Sequence, residues 1–311
     1  MGLAPIVLFV FNRPKHTSIT IDALSKNYLA DETELYIFSD AAKQPNQVND
    51  VREVRSLIHN VVGFKSVHVV EAENNKGLAT SIIEGVSQII QEFGKVIVLE
   101  DDLVTSRYFL TYMNNALDLY KNDNAIWSIS GYSPNLKNIS EEIKEDFYLI
   151  PRGCSWGWGT WQDRWSTVDW EVTDYDKFKF NIQQRKVFNK GGNDLSFMLS
   201  DQMKNRIDSW AIRWVYSQFK QNKYTVYPKC SLITNSGLDY TGTHGSNTDK
   251  YSVELNNKKN PKLNRNLEVN DTILKRFKGF YDLNLVGYIG VISRRMGLYK
   301  TIRRIKKYFY K

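Results

Sequence analysis

Two cysteines in 311 residues, Cys154 and Cys230, are too few for a secreted protein of this size held by disulfides, so a reducing compartment is expected. Seven prolines argue against long disordered stretches, and no internal repeat or low-complexity tract is present. The opening apolar run Pro5–Phe11 is too short to span a membrane and lacks the basic flank and cleavage site of a signal peptide. It reads instead as a first buried strand. Net charge is also scarce outside one place. Eight of the 42 basic residues lie between Arg294 and Lys311 with no acid among them, which leaves 34 basic against 34 acidic side chains elsewhere. The remainder is the composition of a folded protein, long enough for one large α/β unit or two tightly joined lobes.

Apolar strands alternate with amphipathic helices through the first half, the pattern of a mostly parallel sheet covered on both faces. Strands are predicted at Pro5–Phe11, Leu35–Ser39, Ser66–Glu71, Lys95–Leu99 and Ala125–Ser130, and helices at Thr17–Leu29, Val51–His59, Leu78–Phe93 and Arg107–Tyr120. The second half is richer in aromatics and includes Arg152-Gly153-Cys154-Ser155-Trp156-Gly157-Trp158-Gly159-Thr160-Trp161. Lys177–Asn193 and Asn256–Asn266 are polar enough for surface insertions. The expected organisation is an α/β half at 1–130, a second half of the same domain at 131–250, and an extension at 251–311.

Ligands of open α/β sheets bind outside the carboxyl ends of the strands. Three predicted strands end there in polar groups: Asn12-Arg13, Ser39-Asp40 and Glu100-Asp101-Asp102. Three carboxylates after an apolar strand repel one another and lose hydration, which a hard divalent cation among them would relieve. An acidic cap on the following helix is the alternative. Lys76, in the turn before a helix, is placed either to meet phosphate or simply to be solvated. The glycines flanking Trp156 and Trp158 allow close approach of a ligand to their flat faces, the alternative being core packing.

With Phe11-Asn12-Arg13-Pro14, Val96–Leu103 and the Gly/Trp loop, residues 5–245 resemble the N-acetylglucosaminyltransferase I group of inverting GT-A glycosyltransferases. The resemblance implies a GT-A fold, a Rossmann-like mostly parallel sheet with helices on both faces, and a UDP-sugar donor with Mn²⁺ or Mg²⁺. It implies that Arg13 and Asp40 contact the nucleotide, that Glu100 and Asp101 hold sugar and ribose hydroxyls, and that Asp102 binds the metal. The Gly/Trp loop is also similar to the acceptor loop of β-1,4-galactosyltransferases, which makes Trp156 and Trp158 acceptor-binding candidates. An inverting transfer needs a general base. The first family's pattern places it at Asp208, in Ile207-Asp208-Ser209-Trp210, where serine stands for a second acid; the galactosyltransferase pattern places it at Asp163. His244, in a glycine-flanked loop, is a candidate metal ligand or diphosphate contact beside the plain reading of a loop histidine.

Leu298, Ile302, Ile305 and Phe309 form one stripe at helical spacing, with most of the terminal Lys and Arg away from it. Such a helix suits an anionic membrane surface, and no nucleic-acid-binding signature accompanies the charge. The expected protein is a bacterial cytoplasmic transferase, peripheral at the inner face of the plasma membrane, acting on a glycan or lipid-linked oligosaccharide. A binding protein that has lost turnover and a basic membrane- or nucleic-acid-binding module are the rival readings.

Overall fold

Ile6, Leu8 and Val10 pack on one side of the first strand and Val7 and Phe9 on the other, and all five are buried. An uninterrupted apolar strand is what a sheet covered on both faces requires. The computed structural model describes residues 2–136, 139–237, 249–265 and 268–295.

The chain begins β1 (Ile6–Val10), α1 (Pro14–Ser25), β2 (Glu34–Ser39), α2 (Val48–Ile58), β3 (Ser66–Glu71), α3 (Leu78–Phe93) and β4 (Lys95–Glu100). It continues through β5 (Leu103–Thr105), α4 (Phe109–Tyr120), β6 (Ile126–Ser130), α5 (Ile139–Glu142), β7 (Phe147–Ile150), β8 (Trp158–Trp161), α6 (Gln162–Trp165), α7 (Tyr175–Phe178) and α8 (Ile182–Phe188). It closes with α9 (Asp194–Gln202), α10 (Trp210–Lys220), β9 (Tyr224–Pro228), β10 (Ile233–Asn235), α11 (Asp271–Tyr281) and α12 (Leu285–Arg295).

Eight strands form one sheet in the order β3-β2-β1-β4-β8-β6-β9-β7, and β5 pairs with β10 in a small antiparallel ribbon. Strands β3, β2, β1, β4, β6 and β9 run in one direction, while β8 and β7 run against them. The α/β architecture read from the sequence is therefore present, and the single sheet joins strands from residues 1–130 to strands from 131–250. One face packs on α1, α2 and α4 through Ile21, Leu24, Val54, Ile58 and Leu110. The other packs on α3 and α10 through Ile82, Val86, Ile89, Trp210 and Trp214.

Helix α3 has the predicted bounds, whereas α1 starts three residues before its predicted start because Pro14 supplies the fixed φ favoured in a first turn. Lys177–Asn193 is not a loose insertion. Phe178 and Phe188 within it are buried, with ring centroids 5.0 and 5.6 Å from that of Tyr216 on α10. The extension is likewise anchored, since the Phe277 ring of α11 meets Tyr227 of β9 edge to face at 5.1 Å. His244 and the stripe Leu298–Phe309 lie outside the described residues. Among those described, no helix is long and apolar enough to cross a membrane.

Candidate functional site

The pairing register brings the three polar strand ends to one edge. Phe9 of β1 is level with Glu100 of β4, and Val10 with Ser39 of β2. Asn12-Arg13, Asp40 and the acidic triplet therefore leave the sheet side by side. Glu100 ends β4, Asp101 and Asp102 make the turn, and β5 begins at Leu103.

Arg13 joins this edge together. Its Nη2 pairs with Asp101 Oδ1 and lies 3.0 Å from Asp102 Oδ2. Thr20 of α1 donates to the Asp101 carbonyl at 2.9 Å, and the Ser236 N–H donates to the Asp102 carbonyl at 2.8 Å. Gly237 follows so closely that a Cβ there would collide with Asp102 Oδ2 and stand 2.9 Å from Arg13 Nη1. Arg13 Nη1 is buried and has no hydrogen-bond partner among the described residues.

One guanidinium faces three carboxyls. Burial pushes the Glu100 carboxyl up to about 8, and Asp102 and Asp101 add to the shift. Asp101 is also raised, chiefly by burial, although Arg13 draws it down. Burial disfavours the Arg13 charge, but Asp101 and Asp102 outweigh that and hold its pKa above the usual value. Among the described residues, Arg13 is the one positive charge that lowers the pKa of Glu100 and Asp101.

Asp40 has a role the sequence reading did not give it. Oδ1 accepts from the Ala41 and Lys76 N–H groups at 2.8 and 2.9 Å, and Oδ2 from Asn75 Nδ2 and the Gly77 N–H at 3.0 and 2.9 Å. Its carboxylate is committed to the turn that starts α3, where Gly77 supplies the positive φ of 76°. A nucleotide base at this edge would meet the turn rather than a free carboxylate. Lys76 Nζ reaches 2.7 Å from Glu84 Oε2, two turns along α3, and both side chains are about half exposed.

The Gly/Trp loop divides into two fates. Trp158 is 1% exposed, with its ring centroid 4.5 Å from Trp214, 5.1 Å from Trp210 and 5.6 Å from Trp165. It is a core residue, and its assignment as an acceptor platform is corrected, because position 158 falls on β8 opposite Val98 with its side chain directed under α10. Trp156 is half-buried, set edge-on against Tyr132 at 4.7 Å and Tyr251 at 5.9 Å. Those two tyrosines carried no signal in the sequence, since only tertiary folding brings positions 132, 156 and 251 together.

The two candidate bases lie at opposite edges. Strand β8 runs against β4, so its end at Trp161 is level with Lys95, and the Gln162 N–H donates to the Gly94 carbonyl at 2.9 Å. Asp163 follows there, at the edge where β4 begins, with both oxygens within 2.8 Å of Arg164 Nη1. The length of β4 therefore separates Asp163 from the triplet. Helix α10 descends from Ser209 toward the start of β9, which runs parallel to β6, so Asp208 stands at the carboxyl edge with the triplet. Its carboxylate is 68% exposed and 3.5 Å from Arg213 Nη2. Ser209, standing where the resembled pattern has an acid, caps α10 by accepting from the Ile212 N–H at 3.4 Å.

Arg152 opens the Gly/Trp stretch, and its partner had no signal in the sequence. It holds Asp194 bidentately at 2.7 and 2.8 Å and lies 4.0 Å over the Tyr281 ring, tying the Gly/Trp loop to α9 and α11. Among the described residues, no group of three or more His, Cys, Asp and Glu side chains converges to hold a metal. Of the two aspartates of the triplet, Asp102 is the more open, its side chain 14% exposed against 6% for Asp101.

No protein-family profile matches this chain, and no curated protein does. Solved structures similar to it include a mannosyltransferase of Pyrobaculum calidifontis in complex with GDP-mannose and Mn²⁺, at 13% identity and TM-score 0.35 over 52% of this chain and 46% of that one. TarS of S. aureus is similar at 10% identity and TM-score 0.39, over 76% and 37% of the two chains. The galactosyltransferase LgtC with donor and acceptor sugar analogues is similar at 11% identity and TM-score 0.37, over 71% and 72%. The chain spans less than half the length of the first two. At these scores the likenesses carry no argument about chemistry, which rests on the geometry of the site.

Proposed function

We propose that this chain is a metal-dependent inverting glycosyltransferase of the GT-A type, moving a sugar from a UDP-sugar to a glycan acceptor. The observation that carries the reading is the convergence of Arg13, Asp101 and Asp102 at the carboxyl edge, beside the Asp40-held turn, where Arg13 is the one positive charge among the described residues that lowers the pKa of Glu100 and Asp101. Mg²⁺ or Mn²⁺ held by Asp102 would neutralise charge on the departing diphosphate. Arg13 keeps Asp101 and Asp102 in place, and the 75–77 turn offers a surface for the nucleotide. Asp208 takes the acceptor hydroxyl proton as that oxygen bonds to the anomeric carbon and the bond from that carbon to the diphosphate breaks.

N-acetylglucosamine as the donor sugar follows from the resemblance of the motifs, as does a lipid-linked acceptor in bacterial surface-polysaccharide assembly. Trp156, backed by the buried Tyr132 and flanked by the half-buried Tyr251, is the aromatic residue on which an acceptor sugar would rest. The test is UDP release from UDP-N-acetylglucosamine and other UDP-sugars, with Mn²⁺ and a panel of acceptors. Mn²⁺-dependent release that disappears in Asp102→Ala is expected. Undiminished release in that variant contradicts the assignment.

A further inference from the structure

Phe180 and Ile182 are 79% and 66% exposed, although residues of this size and polarity usually find cover. They sit in a well-anchored segment. Phe178 and Phe188 are buried against α10 on either side of them, so the exposed pair is held outward by packing. The surrounding chain is one-sided in charge. Residues 177–190 hold Lys177, Lys179, Arg185, Lys186 and Lys190 and no acid. Among the described residues only Lys179 of these five enters an ion pair, with Asp176 at 2.5 Å.

The apolar and basic groups share a surface. On α8, Ile182, Arg185 and Lys186 follow i, i+3, i+4 spacing and are all exposed, so they lie on one helical face. Lys179 Nζ stands 4.9 Å from the Phe180 ring centroid. Phe180 and Arg185 also line a groove of about 810 Å³ together with Lys179, Lys204 and Arg295 and with two acids, Glu171 and Asp176. Beyond Arg295 the sequence adds six more Lys and Arg and no acid.

We infer that the 177–190 segment is a membrane-docking surface, which inserts Phe180 and Ile182 at the headgroup boundary of an anionic bilayer while Arg185, Lys186 and their neighbours meet the lipid phosphates. Apolar tips among unpaired cations are what an interfacial segment needs. A nucleic acid would use the same cations but leave Ile182 without a role. The segment shares no residue with the acidic edge, so the inference stands or falls independently of the sugar-transfer reading.

Sedimentation of the full chain with phosphatidylcholine vesicles, with and without phosphatidylglycerol, tests it. Binding only to the anionic vesicles is expected, not displaced by excess glycerol phosphate. Phe180→Asp with Ile182→Asp, and separately Arg185→Glu with Lys186→Glu, should each weaken the partition at least about tenfold. Melting temperature and UDP-sugar turnover in solution should stay at the level of the unsubstituted chain. Either double variant sedimenting like the unsubstituted chain overturns the inference and leaves the tail as the binding element. Loss of RNA binding in place of vesicle binding overturns it as well.

Discussion

Arg13 Nη2 lies 3.0 Å from Asp102 Oδ2, although 89 positions separate the two residues. The same guanidinium holds Asp101, whose side chain is 6% exposed. Arg13→Ala would leave that buried carboxyl beside Asp102 with no cation. Breaking a buried pair on one side costs about 3–5 kcal/mol, so a clear drop in denaturation midpoint is expected. A midpoint equal to that of the unsubstituted chain would show the pair to be incidental.

The two tryptophans of the loop should behave oppositely. Trp158→Ala removes the centre of a tryptophan cluster and is expected to cost about 3–5 kcal/mol in chemical denaturation. Trp156→Ala should leave the fold near its original stability and raise the acceptor KM by about two- to tenfold, the size of a lost aromatic contact.

Asp208→Asn and Asp163→Asn separate the candidate bases. The first should lower kcat by about 10²–10⁴-fold, the usual contribution of a positioned proton acceptor. The second, at the far edge and paired with Arg164, should leave kcat unchanged. Single-turnover measurements on both check this directly.

Asp146 gives a pH-dependent element of stability. Burial opposes its ionisation, but hydrogen bonds from Lys259 Nζ and the Lys262 N–H and the charges of Lys259 and Lys229 hold its carboxyl below the usual value. A depressed carboxyl pKa stabilises the fold above the unfolded-state value near about 4, and the benefit disappears as pH falls through the folded value. Lys259 is 63% exposed, so solvent screens the pair to about 1 kcal/mol or less. Asp146→Asn should therefore melt slightly earlier at neutral pH, with the difference closing in acid.

The first half of the fold was legible because strands such as β1 are apolar on both faces and helices such as α3 are periodic. The carboxyl-edge rule then found Arg13 and the triplet. Exposure within the second half was not legible. Gly-Trp-Gly spacing looks the same whether a tryptophan points to solvent or under a helix, and β8's reversed direction decided both Trp158 and Asp163. The turn contacts of Asp40 were not legible either: a carboxylate at a strand end serves a ligand or its own next turn, and only folding brings Asn75, Lys76 and Gly77 to this one. Arg152–Asp194 spans 42 positions with no local pattern to announce it.

Calorimetric titration of UDP into the full chain, with and without Mn²⁺, tests the acidic edge most directly. Mn²⁺-dependent binding that is lost in Asp102→Ala, with the variant's melting temperature preserved, is the predicted result. UDP binding of equal strength in Asp102→Ala, or none to the unsubstituted chain with Mn²⁺ present, would contradict the assignment.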